Sequence, residues 1–256
     1  MKRISIIIPA YNEEKRIGRT LKEYSEYFEK IRKEKKADYR ILIVINNTID
    51  KTQNEVDKFS RKNNRISSLN LKPGGKGLAI MEGFKETMKN GSDIIGFVDA
   101  DMATSPKEFW KLIEHLGGKD GIIASRGLKE SKIKMSAYRK ITHRGFNLVV
   151  RLILHIPHQD TQCGAKVFTK KTIQEIINGR IITQWAFDVD LLYKLRKKNI
   201  AEFPTVWEDK EGSKISLRTP IKMFASVIRL RLIHSPFSFV IRAYEKLPER
   251  IKIHSL

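Results

Sequence analysis

The sequence predicts an α/β fold whose central sheet is mostly parallel. Short apolar segments alternate along the N-terminal half with longer charged segments of helical periodicity. Several of the apolar segments are hydrophobic throughout, as strands covered on both faces are. Strand followed by helix, repeated, builds a parallel sheet with helices on both faces. The 256 residues are long enough to form one large domain of this class.

The individual elements follow from the same patterns. Strands are predicted at residues 4–9, 40–45, 65–70, 93–98 and 121–126. Helices are predicted between them, at 13–36, 52–63, 76–90 and 106–116. Basic amphipathic helices are predicted within 133–155 and in the tail from Thr219 onward. In such sheets functional residues lie beyond the carboxyl ends of the strands.

Composition indicates an anionic partner. Lys and Arg number 50 against 29 Asp and Glu, which gives a formal net charge of +21. This charge fits nucleic acid, membrane phosphate or a phosphorylated substrate alike. The single cysteine, Cys163, excludes an intrachain disulfide framework. No apolar run reaches the roughly 18 to 20 residues of a membrane span, and the first residues do not form a signal peptide.

Two aspartates follow the fourth predicted strand directly. Asp99 and Asp101 are one residue apart, and like charges this close repel, so a positive group is expected beside them. Mg²⁺ or Mn²⁺ fits, since hard cations take carboxylate oxygens and keep phosphate and water ligands. A structural interpretation is also open, in which one aspartate caps the following helix and the other is solvated.

Several further segments, in order, carry a family resemblance. They are "IIIPAYNEEKRIG", "KPGGKGLAIMEGF", "VDADMATSP", "QDTQCGAKVFT", "WAFDVDLLY" and "WEDKEGSKIS". Over residues 4–236 the chain thereby resembles the inverting family 2 glycosyltransferases of the GT-A fold, and among them the branch that glycosylates dolichyl phosphate. The resemblance implies a hexosyltransferase, with glucose favoured over mannose. It implies a GT-A catalytic domain at 1–218 and a basic amphipathic helical tail at 219–256.

The resemblance also implies a donor site. Asp101, with Asp99, would hold Mg²⁺ or Mn²⁺ against the diphosphate of a nucleotide sugar, either UDP-glucose or GDP-mannose. The residues implied around the nucleotide sugar are Pro9, Ala10, Tyr11, Asn12, Glu13, Asn46, Gly75, Lys76 and Ala100. From the residues alone, helix-start chemistry is an alternative, with Asn12 as cap and Glu13 at the positive helix end. The glycine-rich segment alone also fits a surface turn.

One segment departs from the family pattern. Where members usually carry an aspartate pair, this chain has Ile45 and Asn46, although Asp50 and Thr52 are retained. In the family, the acid near Asn46 is associated with reading the base. An amide both donates and accepts hydrogen bonds, so uracil and guanine are less well distinguished. The nucleotide base therefore stays open.

The chemical class of the acceptor determines which further residues are candidates for the site. A polyprenyl phosphate presents an oxygen that is already anionic, so basic side chains replace a general base. The resemblance implies that Arg126 and Arg139 surround this phosphate, and Lys214 is a candidate to close over a phosphate. As alternatives, these cations are solvated surface charges.

A hydroxyl acceptor would instead require a base. The candidates are Asp160 and Asp188, and Asp160 and Gln162 are also candidates for contacts to the sugar. A silent nucleotide-sugar-binding protein is another alternative, raised by Asn46. A nucleic-acid-binding protein is a further one, although the acidic pair and the missing aromatic-basic motif disfavour it.

The two basic amphipathic stretches predict a membrane contact. Residues 133–155 and 219–244 combine apolar residues with Lys and Arg, as segments lying on an anionic membrane surface do. Packing on the sheet or in a dimer interface is the alternative, and the oligomeric state stays open. We expect a cytoplasmic protein that is peripheral on the cytoplasmic membrane face.

Overall fold

A computed structural model describes residues 1–178, 186–208, 219–236 and 238–239. Its strands are β1 (Lys2–Ala10), β2 (Ala37–Asn46), β3 (Ile66–Leu71), β4 (Ile94–Phe97), β5 (Gly121–Ser125), β6 (Lys132–Lys134), β7 (Lys166–Thr169), β8 (Ile200–Pro204) and β9 (Val206–Glu208). Its helices are α1 (Ile17–Lys33), α2 (Thr52–Ser60), α3 (Lys76–Lys89), α4 (Pro106–Glu114), α5 (Ala137–Leu154), α6 (Lys170–Ile176), α7 (Phe187–Lys194) and α8 (Thr219–Ile233).

The main sheet has seven strands in the order β3-β2-β1-β4-β7-β5-β8. All neighbours are parallel except β7, which runs antiparallel between β4 and β5. The mostly parallel sheet predicted from the sequence is therefore confirmed. Strand β7 was not predicted, because its sequence, "KVFT", has only two apolar residues in succession. A separate pair of parallel strands, β6 and β9, completes the described strands.

The core lies on both faces of β1, which explains its unbroken apolar sequence. Ile6 and Ile8 pack with the α1 side, where Phe28 is fully buried. Ile7 points to the other face and packs with Phe84 of α3. Burial of both faces favours a continuous run of β-branched residues over alternation. This packing fixes the position of the strand end that carries the site.

The last described helix packs on the domain by one face. Val227 and Leu230 of α8 are fully buried in a cluster with Val150 and Leu154 of α5. The start of the predicted tail thus contacts the domain, while residues 240–256 lie outside the described part of the chain. Among the described residues, no helix has the length and hydrophobicity that a membrane crossing requires.

Candidate active site

A cleft of about 510 Å³ opens where β1, β2 and β4 end. These parallel strands run side by side, so their carboxyl ends meet at one edge of the sheet. The cleft brings together most of the predicted donor-site residues with three that were not predicted. Its lining comprises Pro9, Tyr11, Glu13, Arg16, Asn46, Asn47, Gly74, Gly75, Lys76, Asp99, Ala100 and Asp101.

Asn12 joins two loops rather than capping a helix. Its backbone N–H donates to Thr48 Oγ1 at 3.3 Å, and its Oδ1 accepts from the N–H of Ile49 at 3.1 Å. The predicted cap is wrong, since α1 begins at Ile17 and its first turn has no side-chain cap. The side-chain oxygen of Asn12 instead accepts a hydrogen bond from the loop after β2. This bond connects the loops that follow β1 and β2.

Asn46 braces two cleft loops with its side-chain amide. Its Nδ2 donates to the carbonyl of Ala10 at 3.0 Å, and its Oδ1 accepts from the N–H of Gly75 at 3.0 Å. An aspartate is acceptor-only and cannot make the first of these bonds. Gly75 has φ +130°, a conformation that only glycine adopts without strain. Asn46, the residue that departs from the family pattern, therefore holds the glycine-rich loop against the end of β1.

Glu13 and Arg16 form an ion pair on the wall of the cleft. Arg16 Nε and Nη2 each donate to the Glu13 carboxylate at 2.7 Å. Burial raises the pKa of Glu13, and the paired Arg16 lowers it. The negative charges of Asp101 and Asp99 raise the pKa further. Sequence analysis missed Arg16, although the i,i+3 spacing from a cleft glutamate could have indicated it. The pair adds one more cation to the cleft lining.

The two predicted metal-site aspartates have different environments. Asp99 Oδ1 lies 2.7 Å from Lys76 Nζ. Although burial opposes ionisation, Lys76 holds the pKa of Asp99 below its usual value. Asp101 accepts the N–H of Ala103 at 2.9 Å, and burial together with the Asp99 charge raises its pKa. Within the described ranges no Lys or Arg forms an ion pair with Asp101.

Asp188 contacts two ammonium groups. Lys166 Nζ lies 2.6 Å from Asp188 Oδ1, and Lys76 Nζ lies 3.6 Å from Asp188 Oδ2. Cations thus lie close to both carboxylate oxygens, an arrangement that disfavours the predicted alternative role of Asp188 as a general base. Lys166 is fully buried and was missed by sequence analysis. A lysine within the apolar segment "CGAKVF" was the available signal.

Asp160 and Arg126 pair with each other beneath the site. Arg126 Nε donates to Asp160 Oδ2 at 2.7 Å and its Nη2 donates to Oδ1 at 3.0 Å. His143 Nε2 lies 2.9 Å from the same Oδ1. Arg126, which was predicted to surround the acceptor phosphate, therefore has the buried Asp160 carboxylate as its counter-charge.

The surroundings of Asp160 disfavour its predicted alternative role as a base. Its side chain has zero exposure and also accepts the N–H groups of Gln162 and Cys163, at 3.0 and 3.1 Å. Burial opposes ionisation, but Arg126 and then His143 hold the pKa of Asp160 well below its usual value. A carboxylate this firmly ionised does not accept a proton near neutral pH. Asp160 instead stabilises the "QDTQCG" loop by accepting hydrogen bonds from its backbone.

The other predicted site residues lie near this hub or outside the described chain. Gln162 Nε2 is 3.9 Å from Met223 Sδ on α8. Arg139 stands in the first turn of α5, where its N–H donates to Ser136 Oγ at 3.3 Å. Lys214 lies outside the described residues. Cys163 is buried and desolvation raises the pKa of its thiol to about 11, so it is not a nucleophile.

A second cavity, of about 370 Å³, adjoins Arg126 and α5. Its lining combines several cations with apolar side chains. The basic residues among them are Arg126, Lys129, Lys140, His143, Arg144 and Arg151. The positive charge of Arg126 helps to lower the pKa of Asp99, after the larger effect of Lys76.

Comparisons with known proteins decide the family. The model of glycosyl transferase family 2 matches residues 5–177. The chain belongs to glycosyl transferase family 2. It is 35% identical over 243 residues to a dolichyl-phosphate beta-glucosyltransferase of Dictyostelium discoideum, covering 89% of this chain and 73% of that protein. It is 32% identical over 229 residues to the enzyme of that name from Homo sapiens, covering 84% and 70%.

A solved structure confirms the predicted GT-A fold of this family 2 glycosyltransferase. Glucosyl-3-phosphoglycerate synthase from Mycobacterium tuberculosis, in complex with Mn²⁺, UDP and phosphoglyceric acid, aligns with a TM-score of 0.65 at 17% identity. The alignment covers 90% of this chain and 78% of that one. The predictions of a family 2 member, of its fold and of glycosyltransferase activity are therefore confirmed.

The aspartate pair of the glycosyltransferase fits a divalent cation. The described residues contain no group of three or more His, Cys, Asp or Glu side chains that could hold a metal. Two carboxylates alone suit Mg²⁺ or Mn²⁺, which fill their remaining positions with water and phosphate oxygens. Burial and the neighbouring Asp99 charge raise the pKa of Asp101, and a cation between the two carboxylates would offset both effects. Asp99 and Asp101 are thus the residues that would hold the ion.

Because Gly164 has no side chain, the Asp99 carboxylate can occupy the space beside it. A Cβ added at Gly164 would overlap the carboxylate of Asp99. We expect Gly164→Ala to displace that carboxylate and to lower kcat/KM by about a hundredfold, as sub-ångström to 1 Å misplacements do. Steady-state kinetics on the purified variant measures this. Gly118→Ala is the matched control, since a Cβ there meets no atom within 4 Å. Equal activity of the two variants would contradict the role of Gly164.

Proposed function

We propose that this glycosyltransferase transfers glucose from UDP-glucose to a polyprenyl phosphate, with Mg²⁺ or Mn²⁺ at Asp99 and Asp101. The observation that carries the proposal is the state of the two candidate bases. Asp160 and Asp188 are both engaged by cations. A hydroxyl acceptor needs a base, whereas a phosphate oxygen is already anionic. The dolichyl-phosphate acceptor in the names of the two relatives supports the same choice.

The chain's own residues support a direct displacement at the sugar. The bound cation would neutralise the charge that develops on the departing diphosphate. Lys76 stands beside the aspartate pair and supplies a second positive charge there. The Glu13–Arg16 pair and Tyr11 line the outer part of the cleft, where a nucleoside would lie. The basic cavity beside Arg126 would hold the acceptor phosphate.

Helix α5 offers a surface for the lipid side of this reaction. Tyr138, Ile141, Leu148 and Leu152 recur at helical spacing and are exposed, Ile141 by 71% and Leu152 by 67%. Cations of the basic cavity, including Arg144, lie on the same helix. An apolar stripe beside cations fits an anionic bilayer surface. We place the enzyme peripherally on such a surface, with the stripe in the acyl boundary.

A donor and acceptor panel tests the proposal. Purified enzyme with Mn²⁺ receives UDP-glucose or GDP-mannose, together with polyprenyl phosphate in vesicles that contain or lack anionic lipid. We expect β-glucosyl lipid from UDP-glucose, formed faster on anionic vesicles, and little product from GDP-mannose. Free sugar release measures hydrolysis as the control reaction. Equal transfer to a soluble hydroxyl acceptor without polyprenyl phosphate would refute the assigned acceptor.

A further inference from the structure

Four charged side chains alternate in sign from the lining of the cleft into the protein interior. Asp99 contacts Lys76 at 2.7 Å, Lys76 faces Asp188 at 3.6 Å, and Asp188 contacts Lys166 at 2.6 Å. The two carboxylates and two ammonium groups balance, so this chain of charges is neutral. Asp101 adds a negative charge beside it. The Lys76 ammonium therefore has a carboxylate on either side.

Lys166 fixes the buried end of this chain of charges. It lies in β7, with Phe97 of β4 and Ile123 of β5 as its register partners, and its side chain has zero exposure. Its Nζ donates to the carbonyl of Cys163 at 2.5 Å and lies 5.4 Å from the Phe97 ring centroid. A buried ammonium is costly without a paired anion, so Asp188 is held in place.

Lys76 occupies an oxygen that a metal ion would use. Its Nζ contacts Asp99 Oδ1, and an ammonium group repels a divalent cation at the same carboxylate. The ammonium group lies between two carboxylates, those of Asp99 and Asp188. Asp188 provides a counter-ion within a short side-chain displacement.

We propose that Asp188, anchored by Lys166, is a positioning residue that takes over the Lys76 ammonium when a metal ion binds Asp99 and Asp101. The inference rests on the proposed metal site. Without Asp188, the ammonium has Asp99 as its remaining partner in the chain of charges, so Lys76 competes more strongly with the metal. Without Lys76, that competition disappears. The two removals therefore change metal affinity in opposite directions.

Manganese binding without any donor tests this exchange. Free Mn²⁺ is followed by its electron paramagnetic resonance signal during titration of the purified full chain. We expect Lys76→Met to tighten Mn²⁺ binding about tenfold and Asp188→Asn to weaken it about tenfold. In the double variant the Asp188→Asn effect should shrink to under about threefold, since the competing ammonium is gone. Lys85→Met, on the exposed face of the same helix, is the matched control for loss of a cation.

The possible outcomes distinguish a failure of the proposed exchange from a failure of the proposed metal site. Equal weakening by Asp188→Asn with and without Lys76, or no tightening in Lys76→Met, would overturn the exchange while leaving the metal site in place. If Asp101→Ala leaves Mn²⁺ affinity unchanged, the metal site of the proposed function fails and the exchange fails with it. A further test combines Lys166→Met with Asp188→Asn in one protein. Lys166→Met alone should lower the unfolding free energy, and the double variant should recover that loss.

Discussion

Replacing Asp101 by alanine is expected to lower kcat/KM for sugar transfer by about a thousandfold, equivalent to about 4 kcal/mol of transition-state stabilisation. Asp101 is the carboxylate of the pair without a lysine contact, so it is the one most available to a cation. Its loss removes the group that would hold positive charge against the departing diphosphate. Initial rates of glycolipid formation at saturating Mn²⁺ measure the effect.

The same substitution should not destabilise the metal-free protein. Burial and Asp99 raise the pKa of Asp101, which means that folding disfavours its ionised form. Its removal should therefore leave the Tm at neutral pH unchanged or higher. Asp57→Ala on α2, distant from the cleft, is the matched control and should retain full activity. Normal turnover by the Asp101 variant would contradict the role of the pair.

Replacing Asp160 by alanine is expected to cost about 3 kcal/mol of unfolding free energy, because it leaves a largely buried guanidinium without its counter-charge. Arg126, His143 and the backbone of the "QDTQCG" loop all direct donors at this carboxylate. Denaturant unfolding measures the loss. Removing Arg126 as well, as Asp160→Ala with Arg126→Met, should destabilise less than Asp160→Ala alone.

Acid dependence gives this prediction a second readout. The pKa of Asp160 is depressed in the folded protein from an ordinary value of 3.8. Its contribution to stability is therefore complete above about that pH and is lost as pH falls through the lower folded-state value. The stability gap between wild type and Asp160→Ala should stay constant near neutrality and narrow in strong acid. A gap that widens on acidification would contradict the ion pair as its source.

Local patterns predicted the N-terminal half of the fold well. The continuous apolar strands and the amphipathic helices between them carry their own periodicity. The strand-end rule predicted that Glu13, Asn46 and Asp101 lie at one edge of the sheet, and the family resemblance added Lys76. Those predictions needed no knowledge of tertiary contacts. The family resemblance then supplied the chemistry that strand ends alone do not specify.

The missed features depend on which distant residues meet. Antiparallel insertion of β7 pairs Lys166 with Phe97, two residues before Asp99, and no local pattern indicates which strands flank β7. The pairing of Arg126 with Asp160 spans 34 positions of the chain. Each residue alone fitted a catalytic role, and only their contact shows that they neutralise each other. Asn46 likewise proved to be a brace, because its partners come from two other loops.

Anomalous scattering from crystals soaked with Mn²⁺ and UDP-glucose tests the central claim most directly. We expect one manganese peak in coordination contact with an Asp101 carboxylate oxygen and with the diphosphate, and a Lys76 side chain moved from Asp99 toward Asp188. A manganese ion away from Asp101, or a diphosphate bound outside the cleft between the ends of β1, β2 and β4, would contradict it.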